Sequence, residues 1–355
     1  MWVIKLYITI ALIWLIQMAN AQNAESNQNW TDQNYPDYIE KITDFGERAD
    51  WSHDGNSLLF VERSFGDVYE YNIKTKKYKP LTHHFYHSGF VRALYLSSGD
   101  ILLSGPTELV DGNWKEARFR KSELWILDKE LKSPPVRLGE YCWEGPAASR
   151  TNLQIAWAEH HGIYPDQIRY YQLFTAEIDY STGVPCLVSQ RVVLDNSNEE
   201  VKDMVLEPQN FRPNNESELI IQAYDKSFKK GCEIMGLDLS TGELVNYSNS
   251  QGVYNEPEGI FPDGEYTLVE SSRHNTSNSG VNIDLWKLKL DVGDPDWERL
   301  TWFNEGSSFK ASNPVVSDDG KKIAFQVTKN NVVAGVGHGI YILNLEEMKN
   351  RKNNQ

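Results

Sequence analysis

Cysteine is scarce: Cys142, Cys186 and Cys232 are the only three in 355 residues. An odd, widely spaced set permits one disulfide at most and fits no zinc framework, so a disulfide-stapled domain is excluded and buried free thiols are expected. Basic residues are also few, 35 against 50 acidic, which leaves a net charge of −15. That balance argues against a nucleic-acid partner and against general attachment to anionic membranes. Long apolar runs are missing with one exception, Leu6 to Ile16. This run falls short of the about 20 residues that a span requires. Lys5 precedes it and Ala19-Asn20-Ala21 follows, a small-x-small cleavage pattern, so residues 1–21 read as a signal peptide. No cysteine follows to carry a lipid. The expected product is a periplasmic or secreted monomer with no stable membrane span. Gly-x-Ser-x-Gly, a P-loop, a dinucleotide fingerprint and zinc spacing are all absent. No helical period stands out after the leader either.

What the sequence does contain is a repeated turn. "GIFPDGEYTLVE" (from Gly259), "ADWSHDGNSLLFVE" (from Ala49) and "NPVVSDDGKKIAFQV" (from Asn313) share one layout: short strand, Asp-Gly turn, apolar strand. Weaker copies start at Ala93, Ala147 and Asn210, making six units. Gly, Asn or Asp tolerates positive φ, so the chain reverses within a few residues. Each unit continues into a third strand with period-two alternation, such as "DVYEYNIKT" and "ELWILDKE", as a half-buried strand requires. Five units add a short fourth strand, among them "YKPLT" and "WERLT". Six repeats of four strands specify an all-β, six-bladed β-propeller with antiparallel blades.

The sixth unit lacks its fourth strand, since the chain passes from "YILNLEE" into "MKNRKNNQ". "YIEKIT" (Tyr38 to Thr43) resembles the missing piece and precedes the first unit. It is expected to complete the last blade and close the ring, because an unclosed ring exposes strand edges. The propeller then occupies residues 38–346, with disordered segments expected at 22–37 and 347–355.

The repeated "SxDGxxLxF" units, the aromatic third strand and the terminal "LT" resemble the WD-repeat-like propellers of TolB and related periplasmic proteins, over about Tyr38 to Leu345. Propellers of this kind serve as protein-interaction platforms, as peptidase domains and as polysaccharide lyases such as oligogalacturonate lyase. The resemblance therefore implies a fold and leaves the activity open.

In such a ring, the loops between blades and those joining second to third strands open at one end of the channel, where sites are expected. Interblade loops supply Glu47, Arg48, Arg92, Glu144, Gln209, Asn210, Arg212, Glu256, Glu258, Lys310 and Asn313. Arg48, Arg92, Glu144, Asn210, Arg212, Glu258, Lys310 and Asn313 are the candidate ligand-binding residues. "THHFYHSGFVR" places His84 and His87 three apart, as a metal pair, as a general base, or as imidazoles that cap turns. "SSRHN" places Arg273 beside His274, suited to gripping a carboxylate or simply to a solvated loop. His84, His87, Arg273 and His274 are the candidate catalytic residues. Two functions follow: binding of a protein or oligosaccharide ligand at the channel mouth, or uronate-polysaccharide lyase chemistry. Resemblance to oligogalacturonate lyase implies a manganese-type site for the latter. His84, His87, Gln209 and His274 would hold the divalent cation, Mn or Ca, under that reading alone.

Overall fold

The structure is a computed structural model that describes residues 30–108, 113–160, 170–226, 231–275, 280–332 and 335–354. The signal-peptide reading and residues 22–29 lie outside the described residues, as does His161.

After the short strand β1 (Ile39–Lys41), five blades follow in chain order. Blade 1 is β2 (Glu47–Trp51), β3 (Ser57–Val61), β4 (Val68–Asn72) and β5 (Lys77–Pro80). Blade 2 is β6 (Arg92–Tyr95), β7 (Ile101–Pro106), β8 (Ser122–Leu127) and β9 (Val136–Tyr141). Blade 3 is β10 (Ala147–Ala148), β11 (Gln154–His160), β12 (Tyr171–Asp179) and β13 (Cys186–Asp195). Blade 4 is β14 (Met204–Phe211), β15 (Glu218–Asp225), β16 (Cys232–Asp238) and β17 (Leu244–Asn246). Blade 5 is β18 (Asn255–Ile260), β19 (Tyr266–Ser271), β20 (Asp284–Lys289) and β21 (Trp297–Arg299). Blade 6 is β22 (Phe309–Val316), β23 (Lys322–Lys329) and β24 (Ile340–Asn344), completed by β1. All pairings within these sheets are antiparallel. The fold is the six-bladed propeller that the repeats specify.

One turn chemistry builds the ring. In blade 1 Gly55 (φ +68°) donates to the Ser52 carbonyl at 2.9 Å, while Asp54 accepts from the Ser52 hydroxyl and the Asn56 amide. Gly264 and Gly320, with φ near +70°, repeat the same bond in blades 5 and 6. Second strands lie between neighbouring blades and are apolar on both faces, which is why β7 is buried at every position. Blade contacts are correspondingly apolar: Trp51, Leu58 and Phe60 of blade 1 pack with Ala324 and Ile340 of blade 6.

The seam forms as the sequence implies. Ile39, Glu40 and Lys41 pair with Leu343, Ile342 and Tyr341. The Ile340 amide donates to the Thr43 hydroxyl at 2.9 Å, and the Asn344 amide to the Tyr38 carbonyl at 2.8 Å. Gly339 is required here, because its φ is +111° and an added Cβ would sit 2.4 Å from the Thr43 carbonyl oxygen.

Three expectations are corrected. Residues 30–37 are anchored, not disordered: Trp30 is 1% exposed and meets Trp302 and Phe303 edge-on, with ring centroids 5.3 and 5.4 Å apart. A single large aromatic ring outweighs the polar composition around it. The C-terminal segment folds as helix α2 (Leu345–Asn354; α1 is Trp114–Arg120), because Leu345 and Met348, three apart, bury on blade 6. Arg351 pairs with Asp37 at 2.9 Å and ties this helix to the N-terminal segment. Lastly, α1 (Trp114–Arg120) joins β7 to β8, its first turn capped by the Asn113 side chain, which accepts from the Glu116 amide. Cys142 and Cys232 are buried and Cys186 half-buried, all as free thiols.

Candidate functional site

The inner strands begin at one end of the channel, and there four of them break register. Bulges lie between Glu47 and Asp50, Pro208 and Asn210, Pro257 and Gly259, and Ser312 and Val315. A bulge twists the strand and re-aims its side chains. Proline explains three of the four: Pro208, Pro257 and Pro314 lack an N–H and fit where the ladder is already interrupted. Arg48 (φ +54°), Glu144 (φ +64°) and Asn313 (φ +48°) also adopt the left-handed backbone conformation without being glycine. Such conformations cost on the order of 1–3 kcal/mol each and collect at functional sites.

The re-aimed side chains enclose a funnel of about 250 Å³. Its cations are Arg48, Arg92, Arg118 and Lys310; its acids are Glu47, Glu144, Glu207, Glu256, Glu258 and Glu270. Arg118 is delivered by α1 and sets both Nε and Nη2 on Glu144 Oε2, the former at 2.9 Å. Arg48 Nη2 reaches the same oxygen at 3.5 Å from blade 1. Arg92 Nη1 lies 3.5 Å from Glu258 Oε2, so blade 2 meets the opposite blade 5 across the axis. Asn313 Nδ2 donates to Glu258 Oε1 at 3.0 Å, and its amide donates to Glu270. Tyr254 and Tyr224 donate to Glu256. Two buried donors, Arg48 Nη1 and Arg92 Nε, have no protein partner.

Burial and the neighbouring Glu258 push the Glu256 carboxyl up to about 7. Burial likewise raises Glu207 and Glu270, with the adjacent carboxylates adding to it. Glu144 goes the other way: burial alone would raise it, but the Arg118 and Arg48 guanidinium groups hold it below the ordinary range. A pH dependence follows. Between the ordinary value of 4.5 and about 7, folded Glu256 keeps a proton that the unfolded chain has lost, so stability falls as pH rises through that window. The denaturation midpoint should therefore decline between about pH 4.5 and 7, and Glu256→Gln should make that decline shallower. An unaltered slope in that variant would refute the assignment.

Of the sequence candidates, the funnel gathers Arg48, Arg92, Glu144, Glu258, Lys310 and Asn313. Gln209 and Asn210 line a second cavity of about 260 Å³ at the other end of the channel, and Arg92 and Glu258 border both. Arg212 instead binds Glu218, Tyr247 and the Gly264 carbonyl, fastening blade 4 to the turn of blade 5. His87 bridges Asp67 and the Gly89 amide, pinning its own loop. His84 is exposed and packs on Phe85. Arg273 lies over Trp297, 4.5 Å from the ring centroid. His274 meets Asn304 at 3.2 Å and Asp284 at 3.9 Å, and burial lowers its pKa. The expected gathering of His84, His87, Gln209 and His274 is thus corrected: loop hydrogen bonds hold His87 and His274 away from the channel. Among the described residues, the His, Cys, Asp or Glu side chains close enough to share one ion are Glu256, Glu258 and Glu270, whose oxygens lie within 4.8 Å of one another. Glu207, Glu270, Tyr224 and Tyr254 were not singled out from the sequence. One signal did exist, the Glu-Pro pair that recurs at Glu207-Pro208 and Glu256-Pro257.

No protein-family model and no curated protein sequence matches the chain. Solved structures do. A putative TolB from Agrobacterium tumefaciens aligns at 15% identity over 75% of this chain and 79% of its own, with a TM-score of 0.52. The likeness is one of fold. A gluconolactonase from Xanthomonas campestris aligns at 11% identity over 86% of this chain and 89% of its own, TM-score 0.52. An oligogalacturonate lyase in complex with manganese aligns at 14% identity over 85% and 77%, TM-score 0.50. These TolB-like and lyase-like propellers share the architecture; their activities remain their own.

Proposed function

We propose that the protein is an extracytoplasmic binding propeller that takes a polar group of a protein or glycan ligand into the funnel. One observation carries this reading: strained, bulged backbone aims charged side chains into a cavity where two buried guanidinium donors lack partners. A buried unmatched donor costs about 1–3 kcal/mol, a cost that a ligand acceptor removes. Among the described residues no helix is long and apolar enough to cross a membrane. Arg48→Met removes one donor and leaves the Arg118–Glu144 pair intact. Ligands found on glycan and peptide arrays should lose about tenfold in affinity for this variant. Hits that bind the variant as well as the parent would place the site elsewhere.

The lyase reading keeps one supporting observation, the carboxylate trio Glu256, Glu258 and Glu270. Carboxylate oxygens suit a hard divalent cation such as Mn or Ca, whereas the scattered histidine set does not fit one. A bound cation would stabilise a uronate carboxylate while its α-proton leaves. In this chain Tyr254 and Tyr224 are the neighbouring groups that hold protons toward Glu256.

A further inference from the structure

The channel-mouth rim of blade 2 carries a feature that the funnel does not explain. Helix α1 is inserted into the β7–β8 connection, and it presents Trp114 and Arg118 four residues apart, on one face. Side chains at this spacing start about 5–6 Å from each other. Arg118 is buried in the funnel on Glu144, while Trp114 is 48% exposed. The indole has a firm backing: Phe119 lies 6.2 Å from it, Trp143 stacks on Phe119 at 5.4 Å, and His160 stacks on Trp143 at 4.1 Å. Two more rings stand at the same end of blade 2. Tyr141 closes β9 at 49% exposed, and Tyr86, in the loop that leads into β6, is fully exposed. Single exposed apolar side chains are ordinary. Three aromatic rings flanking one blade, one of them a helical turn from a polar cavity, form a pattern.

We propose that this rim is a stacking platform for an uncharged oligosaccharide whose terminal residue enters the funnel. The inference rests on the binding reading above and names its ligand class. A pyranose has an apolar C–H face and an edge of hydroxyls that both donate and accept. The first suits the Trp114 face. The second suits a cavity with unmatched donors on Arg48 and Arg92 beside the Glu256, Glu258 and Glu270 carboxyls. Charge sets the class. The chain carries −15, so a polyuronate is repelled on approach where a neutral glycan is not. Trp114 stands one helical turn from Arg118, which lines the funnel, so the platform lies next to the cavity.

The test titrates uncharged gluco-, manno- and N-acetylglucosamine oligosaccharides of increasing length, with a uronate series and array-derived peptides alongside, by calorimetry, against the full chain. Affinity should rise on going from one sugar residue to two or three. Trp114→Ala should remove that gain, about tenfold, and leave the weak monosaccharide binding intact, whereas Trp114→Phe should keep most of it. The exposed position makes both variants fold normally, which a thermal melt checks. Three outcomes overturn the proposal: oligosaccharide affinity indifferent to Trp114→Ala and Tyr141→Ala, preference for uronate chains, or Arg48-dependent binding of peptides alone. In each of these the funnel reading survives as long as Arg48→Met still weakens binding. If Arg48→Met changes nothing, both fall.

Discussion

Deleting the chain up to Thr43 is expected to abolish cooperative folding of the remaining propeller. The cut removes β1, and with it every ladder bond on the outer edge of β24. It also removes Trp30, Tyr38 and Ile39, each under 5% exposed and packed in the apolar cluster that joins blades 5 and 6. Truncating a buried tryptophan alone costs about 3–5 kcal/mol, a large share of the 5–15 kcal/mol that a domain has. The bare β24 edge would then invite association between chains. Denaturant titration and light scattering of the truncated chain check this, with Trp30→Ala as the graded version. A circular permutant that keeps the seam and opens an interblade loop instead should fold normally. If the truncated chain unfolds with the midpoint and slope of the parent, the seam does not hold the ring.

Glu144→Ala is expected to cost about 3–5 kcal/mol, the usual result of stripping one partner from a buried ion pair. The acid serves two guanidinium groups whose side chains are 6% and 11% exposed, Arg118 and Arg48. Its removal strands both, and releases the helix that Arg118 tethers to the funnel wall. Glu144→Gln keeps an acceptor and should cost less. Adding Arg118→Ala to Glu144→Ala should recover part of the loss, because the two positions are in contact and their effects do not add. A urea series reads these numbers from the midpoint at constant slope. A loss below about 1 kcal/mol for Glu144→Ala would mean that the pair is effectively solvated.

The architecture was readable because turns and strands are local. Asp54-Gly55 and Asp319-Gly320 announce their reversals by composition alone, and the incomplete sixth unit points to Tyr38–Thr43 as its complement. The anchors at each terminus were not readable. Trp30 and Met348 gain their meaning from the blade surface they cover, which no local pattern encodes. The funnel was readable in part. Arg48, Glu144, Glu258 and Asn313 follow from the position of the interblade loops, but which residues face the axis depends on bulges that period-two counting cannot register. The histidines misled for a plain reason: a loop imidazole is as useful for bonding its own backbone, as His87 does with Gly89, as for chemistry.

The pair formed by Arg92 and Glu258 has a wider meaning for how such a ring is used. Drawn across the bore between opposing sectors, it is a crossbar that both cavities touch. Each end of the ring thus has the same two side chains in its floor, and replacing Arg92 or Glu258 alters both faces at once.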